Sequence, residues 1–302
     1  MGELFKDKYE IGDNGPEVME IQEALGMTYA DGAFGPLTRK AVIKFQKMMG
    51  LVADGIVGKK TMGLIFPSTD NSESDDPFEK YYLPKGEYKE GPTKKEYLFL
   101  HHTAGWNNPY KCVDQWARDS RGPIATKYVI GGPHPLNGDL TYDGVVLDCI
   151  PEGGFGWHLG KNGSQRMHTN SIGIEVCNFG WLTKKGDKYY TYANTQVSPK
   201  NVCDIGYKFR GYQFWHDYSE AQIDALKNVI LHVKTKYNID ITKGIVQLLH
   251  EKGEKISFDW SEDAYYGKIK GMWTHTNTRK DKTDMYPHPG LIEMLKDLCY
   301  EE

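Results

Sequence analysis

A proline-framed acidic stretch divides this 302-residue chain into two unequal parts. It runs from Pro67 to Pro77 as Pro-Ser-Thr-Asp-Asn-Ser-Glu-Ser-Asp-Asp-Pro, and it contains no aliphatic or aromatic residue. Such a segment cannot bury enough apolar surface to offset the entropy lost on ordering, so it predicts a flexible tether. We therefore expect a small domain over residues 1–66, an acidic linker over 67–90 and a large domain over 91–302.

The small part contains an internal repeat. Asp-Gly-Ala-Phe-Gly at 31–35 recurs as Asp-Gly-Ile-Val-Gly at 54–58, and a threonine follows each copy at the same spacing. Aspartate and glycine favour a turn, and the threonine marks the start of a helix. Apolar residues recur at helical spacing before and between the two turns, at Val18, Ile21, Ala24 and Leu25 and at Ala41, Val42, Phe45 and Met48. The pattern predicts a compact three-helix unit, and the alternative is a generic helical bundle.

Short apolar runs alternate with helical patterns in the large part. Strands are predicted over residues 97–101, 126–130, 144–150 and 172–178, and helices over 110–118 and 220–237. Ser219 stands where it can cap the second of these helices. The alternation predicts an α/β fold with a central mixed sheet flanked by helices.

Three stretches of the large part carry side chains suited to hydrolytic chemistry. They are Leu98-Phe99-Leu100-His101-His102-Thr103, Ser171-Ile172-Gly173-Ile174-Glu175-Val176, and Trp273-Thr274-His275 followed by Lys282-Thr283-Asp284. Two imidazoles and one carboxylate suit zinc and leave a fourth position for water, which the metal acidifies. A further carboxylate can take the proton of that water, and an ammonium can neutralise the oxyanion that develops.

These stretches resemble the zinc-dependent N-acetylmuramoyl-L-alanine amidases of type 2, which include amidase-type phage lysins and peptidoglycan-recognition proteins. The resemblance rests on the segments at 101–104, 170–175 and 279–284 and covers roughly the last two thirds of the chain. It implies one Zn²⁺ ion bound by His101, His275 and Asp284. It also implies that Glu175 is the general base and that Lys282 stabilises the oxyanion.

The resemblance also implies a substrate groove. Trp157-His158-Leu159-Gly160 is similar to the Trp-His-x-Gly segment that lies beside the groove in this family. We therefore expect Trp157, His158 and Asn170 to bind substrate. Gly173, on the same strand face as Glu175, lacks a side chain and is expected to leave space there for the substrate.

Two other histidines compete for the metal. His102 adjoins His101, but side chains alternate across a strand, so we expect it to be structural. His250 ends a helical pattern, whereas His275 has the Lys-x-Asp triplet a short loop away, which favours His275.

Two segments depart from a minimal amidase. Residues 179–215 carry ten aromatic residues, among them Trp181, Tyr192, Tyr212 and Trp215, which either pack an insertion onto the body or contact sugar and peptide. Residues 251–272 form a second elaboration that makes the partner of His275 harder to assign.

The small part resembles the peptidoglycan-binding domain found at the ends of many cell-wall hydrolases, with Gln46 after Phe45 and the repeated turns. Together the resemblances imply a peptidoglycan hydrolase of endolysin type that cleaves the bond between N-acetylmuramic acid and L-alanine. The alternatives are a cytosolic amidase that recycles muropeptides and a protein that binds peptidoglycan without cutting it.

Composition bounds the remaining expectations. The formal charge of −4 gives no sign of nucleic-acid binding, and no segment suggests membrane insertion. Five cysteines without paired spacing indicate reduced thiols. The first residues lack an apolar export core, so we expect the protein to stay in the host cytoplasm until lysis. We also expect a monomer, with bacterial peptidoglycan as its partner.

Overall fold

The computed structural model describes residues 8–66, 77–160 and 163–298. The chain forms two compact units, the first ending at Phe78 and the second beginning at Glu79. Most of the predicted tether, residues 67–76, lies outside the described residues, as does Cys299. None of the described helices is both long and apolar enough to cross a membrane.

The small unit has three helices and a short strand pair. In chain order its elements are β1 (Lys8–Tyr9), α1 (Pro16–Ala24), α2 (Pro36–Met48), β2 (Val57–Gly58) and α3 (Lys59–Ile65). Strands β1 and β2 pair antiparallel. Every element contributes at least one side chain to the core, which contains Tyr9, Val18, Ile21, Phe34, Val42, Val57 and Ile65. The three helices match the expectation, and the strand pair was not predicted.

Each repeat of the small unit is organised around one buried glutamine. The side-chain nitrogen of Gln22 donates to Asp31 Oδ1, Ala33 O and Thr38 Oγ1 at 2.8–3.0 Å, while its oxygen accepts from the Gly32 amide. Gln46 makes the same four bonds one repeat later, to Asp54, Ile56, Thr61 and Gly55, at 2.8–3.2 Å. Both turns are thus tied to the preceding helix by a buried amide whose polar atoms are all satisfied.

The large unit contains the remaining elements. In chain order they are β3 (Glu79–Lys80), β4 (Lys89–Glu90), β5 (Tyr97–His102), α4 (Pro109–Trp116), β6 (Tyr128–Ile130), β7 (Val146–Asp148), β8 (Gly154–Phe155), α5 (Gln165–Thr169), β9 (Ser171–Val176), β10 (Trp181–Lys185), β11 (Lys188–Tyr190), β12 (Gln196–Val197), β13 (Val202–Phe209), β14 (Tyr212–His216), α6 (Glu220–Tyr237), α7 (Ile245–Lys252), α8 (Glu254–Ser257), α9 (Glu262–Tyr265), β15 (Gly271–Thr274), α10 (His275–Thr278) and α11 (Pro289–Asp297).

The central sheet has six strands in the order β15-β5-β9-β6-β7-β3. The first four run parallel, β7 is antiparallel to β6, and β3 is parallel to β7. Val113 of α4 packs in one buried cluster with Val129, while His232 of α6 contacts the ring of Tyr128, the neighbouring residue on that strand. Because adjacent strand residues point to opposite faces, the two helices cover opposite faces of the sheet. The expected mixed sheet flanked by helices is confirmed.

The linker is shorter than predicted at its C-terminal end. Residues 79–90 belong to the large unit, since β3 pairs with β7 at the edge of the central sheet and β4 pairs with β8. Two-residue strands of charged sequence, Glu79–Lys80 and Lys89–Glu90, carry no periodic apolar signal that a sequence pattern could detect.

The aromatic segment forms a second, antiparallel sheet of five strands in the order β12-β11-β10-β14-β13. Its buried Trp215 stacks on Tyr286 of the body at 4.5 Å between ring centroids. The Arg210 guanidinium donates to the carbonyls of Lys280 and Thr276 at 2.9 and 3.1 Å, and the Tyr192 hydroxyl donates to the carbonyl of Ala104 at 2.9 Å. The insertion is therefore packed onto the body and bonded to the loops that follow β5 and β15.

Candidate metal centre

Two neighbouring parallel strands deliver the candidate histidine ligands. His101 lies near the end of β5, and His275 directly follows β15 as the first residue of α10. Thr274 is opposite Leu100 in the register of these strands, so His275 comes beside His101. Asp284 lies on the loop after α10, where its backbone oxygen accepts a bond from the Thr276 amide at 3.0 Å.

The three side chains converge on one point. His101 Nδ1 lies 3.1 Å from His275 Nδ1 and 3.3 Å from Asp284 Oδ2, and the last two atoms are 2.9 Å apart. Ligand atoms about 2.0–2.1 Å from a tetrahedral ion are separated by about 3.3 Å. The triangle is close to that size, and a donor set of two nitrogens and one carboxylate oxygen suits zinc. The residues present therefore fit the group that the family resemblance implies.

Electrostatics keeps these donors in the state that a metal needs. Burial lowers the pKa of His101 to about 4, so its imidazole is neutral near pH 7. Burial alone would raise the pKa of Asp284, but its close contacts with His275 and His101 hold it well below its usual value. Asp284 is consequently ionised, and the site presents the neutral imidazole of His101 beside one negative charge.

Glu175 faces the same side of the sheet as His101. In the parallel pairing of β5 with β9 it stands directly opposite His101, and it is half-buried. Burial raises the pKa of its carboxyl well above the usual value, and the negative charge of Asp284 adds to that rise. A carboxyl with a raised pKa next to a candidate metal site is suited to accepting and releasing a proton.

Lys282 lies on the loop after α10, two residues before Asp284, and is half-buried. Its positive charge lowers the pKa of both Glu175 and His101, so the ammonium is within electrostatic range of the two groups. Among the described residues it has no ion-pair partner. The cation is thus available to a negatively charged oxygen.

A chain of hydrogen bonds extends behind His101. Its Nε2 lies 3.0 Å from His158 Nδ1, and His158 Nε2 lies 2.8 Å from Ser171 Oγ. The serine hydroxyl is 3.3 Å from the backbone oxygen of His168. Because a carbonyl oxygen can only accept, the serine donates to it and each imidazole donates through Nε2 to the next group. This order leaves the lone pair of His101 Nδ1 directed into the triad.

His158 therefore does not occupy the substrate groove predicted for it. It is buried, its pKa is held well below the usual value by burial, and its two ring nitrogens are used by His101 and Ser171. Partners of this kind fix the ring orientation and tautomer of a metal ligand. The Trp-His-x-Gly pattern located the residue, but only the three-dimensional fold brings it against His101.

The other predicted groove residues also lie away from the triad or are enclosed. Asn170 precedes β9, at the end of the strand remote from Glu175, and its amide donates to Glu96 at 3.3 Å. Trp157 is half-buried and packs edge-on against His168 and Phe155. The structure does not bring Asn170 to the triad, and it leaves Trp157 only partly available to a ligand.

Gly173 does not leave space for substrate. A Cβ built on it would lie 2.7 Å from Thr126 Cγ2 and 3.2 Å from His158 Cγ. The missing side chain instead makes room for the imidazole that supports His101, so the expectation drawn from this glycine is wrong.

The competing histidines are accounted for. His102 points to the opposite face, where its Nδ1 lies 2.8 Å from the Tyr218 hydroxyl, as its structural assignment predicted. His250 is exposed on α7 and is not among the described groups that could hold a metal. The four described cysteines are all free thiols.

A second group of candidate ligands, Cys203, Asp217 and His288, is not suited to a metal. His288 Nδ1 accepts the Leu291 amide as a helix cap, so a neutral imidazole must carry its proton on Nε2. That proton is donated to Asp217 Oδ1 at 2.7 Å. The nitrogen that faces the group has no free lone pair.

The comparisons with known proteins divide the chain at the same place. The N-acetylmuramoyl-L-alanine amidase family matches residues 91–284, and the peptidoglycan binding domain family matches residues 14–65. No curated protein matches the chain.

Several solved structures are similar to parts of the chain. The Burkholderia AP3 phage endolysin is 38% identical over 20% of this chain and 25% of its own, with a TM-score of 0.19. PlyL is 12% identical over 72% of this chain and 96% of its own, with a TM-score of 0.39. AmiD from E. coli, solved with anhydro-N-acetylmuramic acid-L-Ala-D-gamma-Glu-L-Lys, is 22% identical over 50% of this chain and 47% of its own, with a TM-score of 0.30.

The match to residues 91–284 spans more than half of the sequence and includes every residue of the candidate metal centre. The resemblance inferred from the histidine, glutamate and aspartate motifs is thereby confirmed, and the chain belongs to the N-acetylmuramoyl-L-alanine amidase family.

Proposed function

We propose that this protein is a zinc-dependent peptidoglycan hydrolase of endolysin type, which cleaves the amide between N-acetylmuramic acid and L-alanine. The observation that carries the proposal is the convergence of His101 Nδ1, His275 Nδ1 and Asp284 Oδ2 within 3.3 Å, with Glu175 opposite His101 in the strand register. Zinc bound by these three residues would polarise the scissile carbonyl and acidify a water molecule.

The remaining steps belong to side chains of this protein. The Glu175 carboxylate takes the proton of the attacking water and then, as a carboxylic acid, gives it to the nitrogen of the departing L-alanine. Its raised pKa suits both directions of transfer. The Lys282 ammonium neutralises the negative charge that develops on the carbonyl oxygen. His158 holds His101 in the tautomer with its Nδ1 lone pair free.

The small unit supports the endolysin reading over its alternatives. It matches a peptidoglycan binding domain family, and none of the proposed ligands or proton-transfer groups lies in it. A domain that binds polymeric wall raises the local concentration of the attached enzyme, whereas an amidase that recycles soluble fragments has little use for one. A protein that binds peptidoglycan without cutting it commonly lacks a metal ligand, while here all three candidate ligands meet.

Mass spectrometry of digested peptidoglycan tests the bond that is cleaved. We expect purified sacculi to release stem peptides with a free L-alanine amine, and the variant Glu175→Gln, with a side chain of the same size, to release almost none. New reducing sugar ends would indicate a glycosidase instead. New amines within the stem peptides would indicate a peptidase, and either result would contradict the proposal.

Deleting residues up to Phe66 tests the division of labour. We expect the truncated protein to hydrolyse a soluble muropeptide at the rate of the full chain and to lyse intact sacculi more slowly, because only local concentration is lost. Equal losses on both substrates would show that the small unit supports the catalytic fold.

A further inference from the structure

The two repeats of the small unit have the same buried hydrogen bonds but differ in their exposed side chains. The buried networks of Gln22 and Gln46 are the same bond for bond, so positions in the two repeats can be compared directly. Tyr29 stands two residues before Asp31, and Val52 stands two residues before Asp54. Both side chains are 78% exposed.

The residues around these two positions differ in character. Leu37 and Lys40 of the first repeat correspond to Lys60 and Gly63 of the second, counted from Thr38 and Thr61. Leu37 is 75% exposed, which is unusual for leucine in a helix that buries apolar side chains on its other face. The first repeat thus presents an aromatic ring, an aliphatic side chain and a lysine where the second presents valine, lysine and no side chain.

The first repeat also contains an open groove of about 690 Å³ between the loop at 26–29 and one face of α2. Tyr29 and Leu37 line it together with Lys40, Lys44 and Lys47, which recur along one helix face. None of the described residues that line the groove carries a carboxylate. The three ammonium groups make no ion pair within the described part of the chain.

We propose that this groove is where the small unit binds a peptidoglycan strand. The Tyr29 ring stacks on the apolar face of an amino sugar, and Lys40 and Lys44 pair with free carboxylates of the stem peptides. The proposal rests on the proposed function, because it names the surface by which the targeting domain meets the wall polymer. The charge of the groove complements an anionic peptide, and its aromatic rim suits a carbohydrate.

Binding of the full chain to purified sacculi tests the groove. The bound fraction is measured by co-sedimentation after a brief incubation on ice. Tyr29→Ala is matched by Val52→Ala, its equally exposed counterpart in the second repeat. The double variant Lys40→Gln/Lys44→Gln is compared with Lys60→Gln on α3. We expect each groove variant to raise the Kd about tenfold and each control to leave it within about twofold. Turnover of a soluble muropeptide should be the same in all of them.

The outcomes separate this proposal from the one on which it rests. If the full chain hydrolyses muropeptide but does not sediment with sacculi, both the targeting role and the groove are overturned while the amidase remains. If it sediments and the groove variants behave like their controls, the groove alone is overturned. Sacculi stripped of anionic wall polymers provide a further arm: retained binding supports peptidoglycan as the ligand, and lost binding contradicts it.

Discussion

The two units of this chain assemble their polar groups over very different distances along the sequence. In the small unit the Gln22 amide bonds groups that are 9 to 16 positions away. In the large unit His101 meets the other two candidate ligands, His275 and Asp284, which are 174 and 183 positions away. The first constellation forms within one helix, the following turn and the start of the next helix, whereas the second requires β5, β9 and β15 to pair in the correct register.

This difference has consequences for how each unit fails. A substitution in a glutamine network disturbs one turn and the helix before it. A substitution in the metal centre leaves each strand intact but removes a donor from a set that has no redundancy. Loss of one donor should therefore reduce activity far more than it reduces the stability of the fold.

Asp284→Ala should reduce activity to background, because only two ligands remain for the metal. Zinc content after dialysis measures the cause directly. Asp281→Ala is the matched control, since this exposed carboxylate lies on the same loop and pairs with Arg279 rather than with the triad. Full zinc occupancy in Asp284→Ala would mean that the wrong carboxylate has been assigned.

Glu175→Gln should lose about 10²–10⁴-fold in turnover while it keeps its zinc and its thermal stability, because a general base contributes about that factor. The amide has the size of the acid but cannot accept the proton. Near-normal turnover on purified peptidoglycan would remove Glu175 from the mechanism and leave the metal centre unaffected.

His158→Phe should weaken zinc binding by about 10–100-fold, measured by competition with a chelator, since it removes the partner that orients His101. His216→Phe is the control: His216 is equally enclosed and its Nδ1 accepts the Phe179 amide, but it does not contact a ligand. Both variants should unfold at lower temperature. Equal zinc affinity in the two would show that the chain behind His101 has no part in holding the metal.

The two units should respond differently to mild acid. Burial lowers the pKa of His102 and His216 to about 4, whereas an unfolded histidine titrates near 6.5. Between these values the unfolded state binds protons that the folded state excludes. The stability that depends on these two histidines is therefore fully present above about pH 6.5 and falls as pH drops to about 4, by on the order of 3 kcal/mol for each histidine.

The small unit contains no histidine. The backbone amide of Ala33 and the Gln22 side chain lower the pKa of Asp31 below 3.8, so the stability from that group is lost only below this pH. All seven tryptophans lie in the large unit, and their fluorescence follows its unfolding alone, while calorimetry follows both units. The tryptophan transition should move to lower temperature between pH 6.5 and 4 while the other stays in place. A parallel shift of both would contradict the assignment.

The same contrast explains what the sequence could predict. The paired Asp-Gly turns and the Ser219 cap of α6 are local, and the structure contains both, the helix beginning at Glu220 as expected. The candidate ligands could also be predicted, because residue type and order indicate them, and the structure brings the three together. The roles of Gly173 and His158 could not be predicted from the sequence, because they depend on which side chain from another segment fills the space beside β9. Asn170 has a plausible residue type but stands at the wrong end of its strand.

The five-stranded insertion escaped prediction for a related reason. Its strands are half exposed and its aromatic residues occur on both faces, so neither strict alternation nor a continuous apolar run marks them. The stacking of Trp215 on Tyr286 and the hydrogen bonds of Arg210 and Tyr192 to the body, which the sequence pattern does not reveal, show that the segment is part of the body.

The contact of Arg210 with the carbonyls of Thr276 and Lys280 limits how this enzyme can be recombined with others. The insertion looks like an accessory that a protein engineer would trim to obtain a minimal catalytic domain. Its removal would release the carbonyl of Thr276 in α10 and that of Lys280 on the loop that carries Lys282 and Asp284. Chimaeric lysins built from this chain must therefore retain the second sheet as part of the catalytic domain. A different binding domain can be joined to the chain before Glu79.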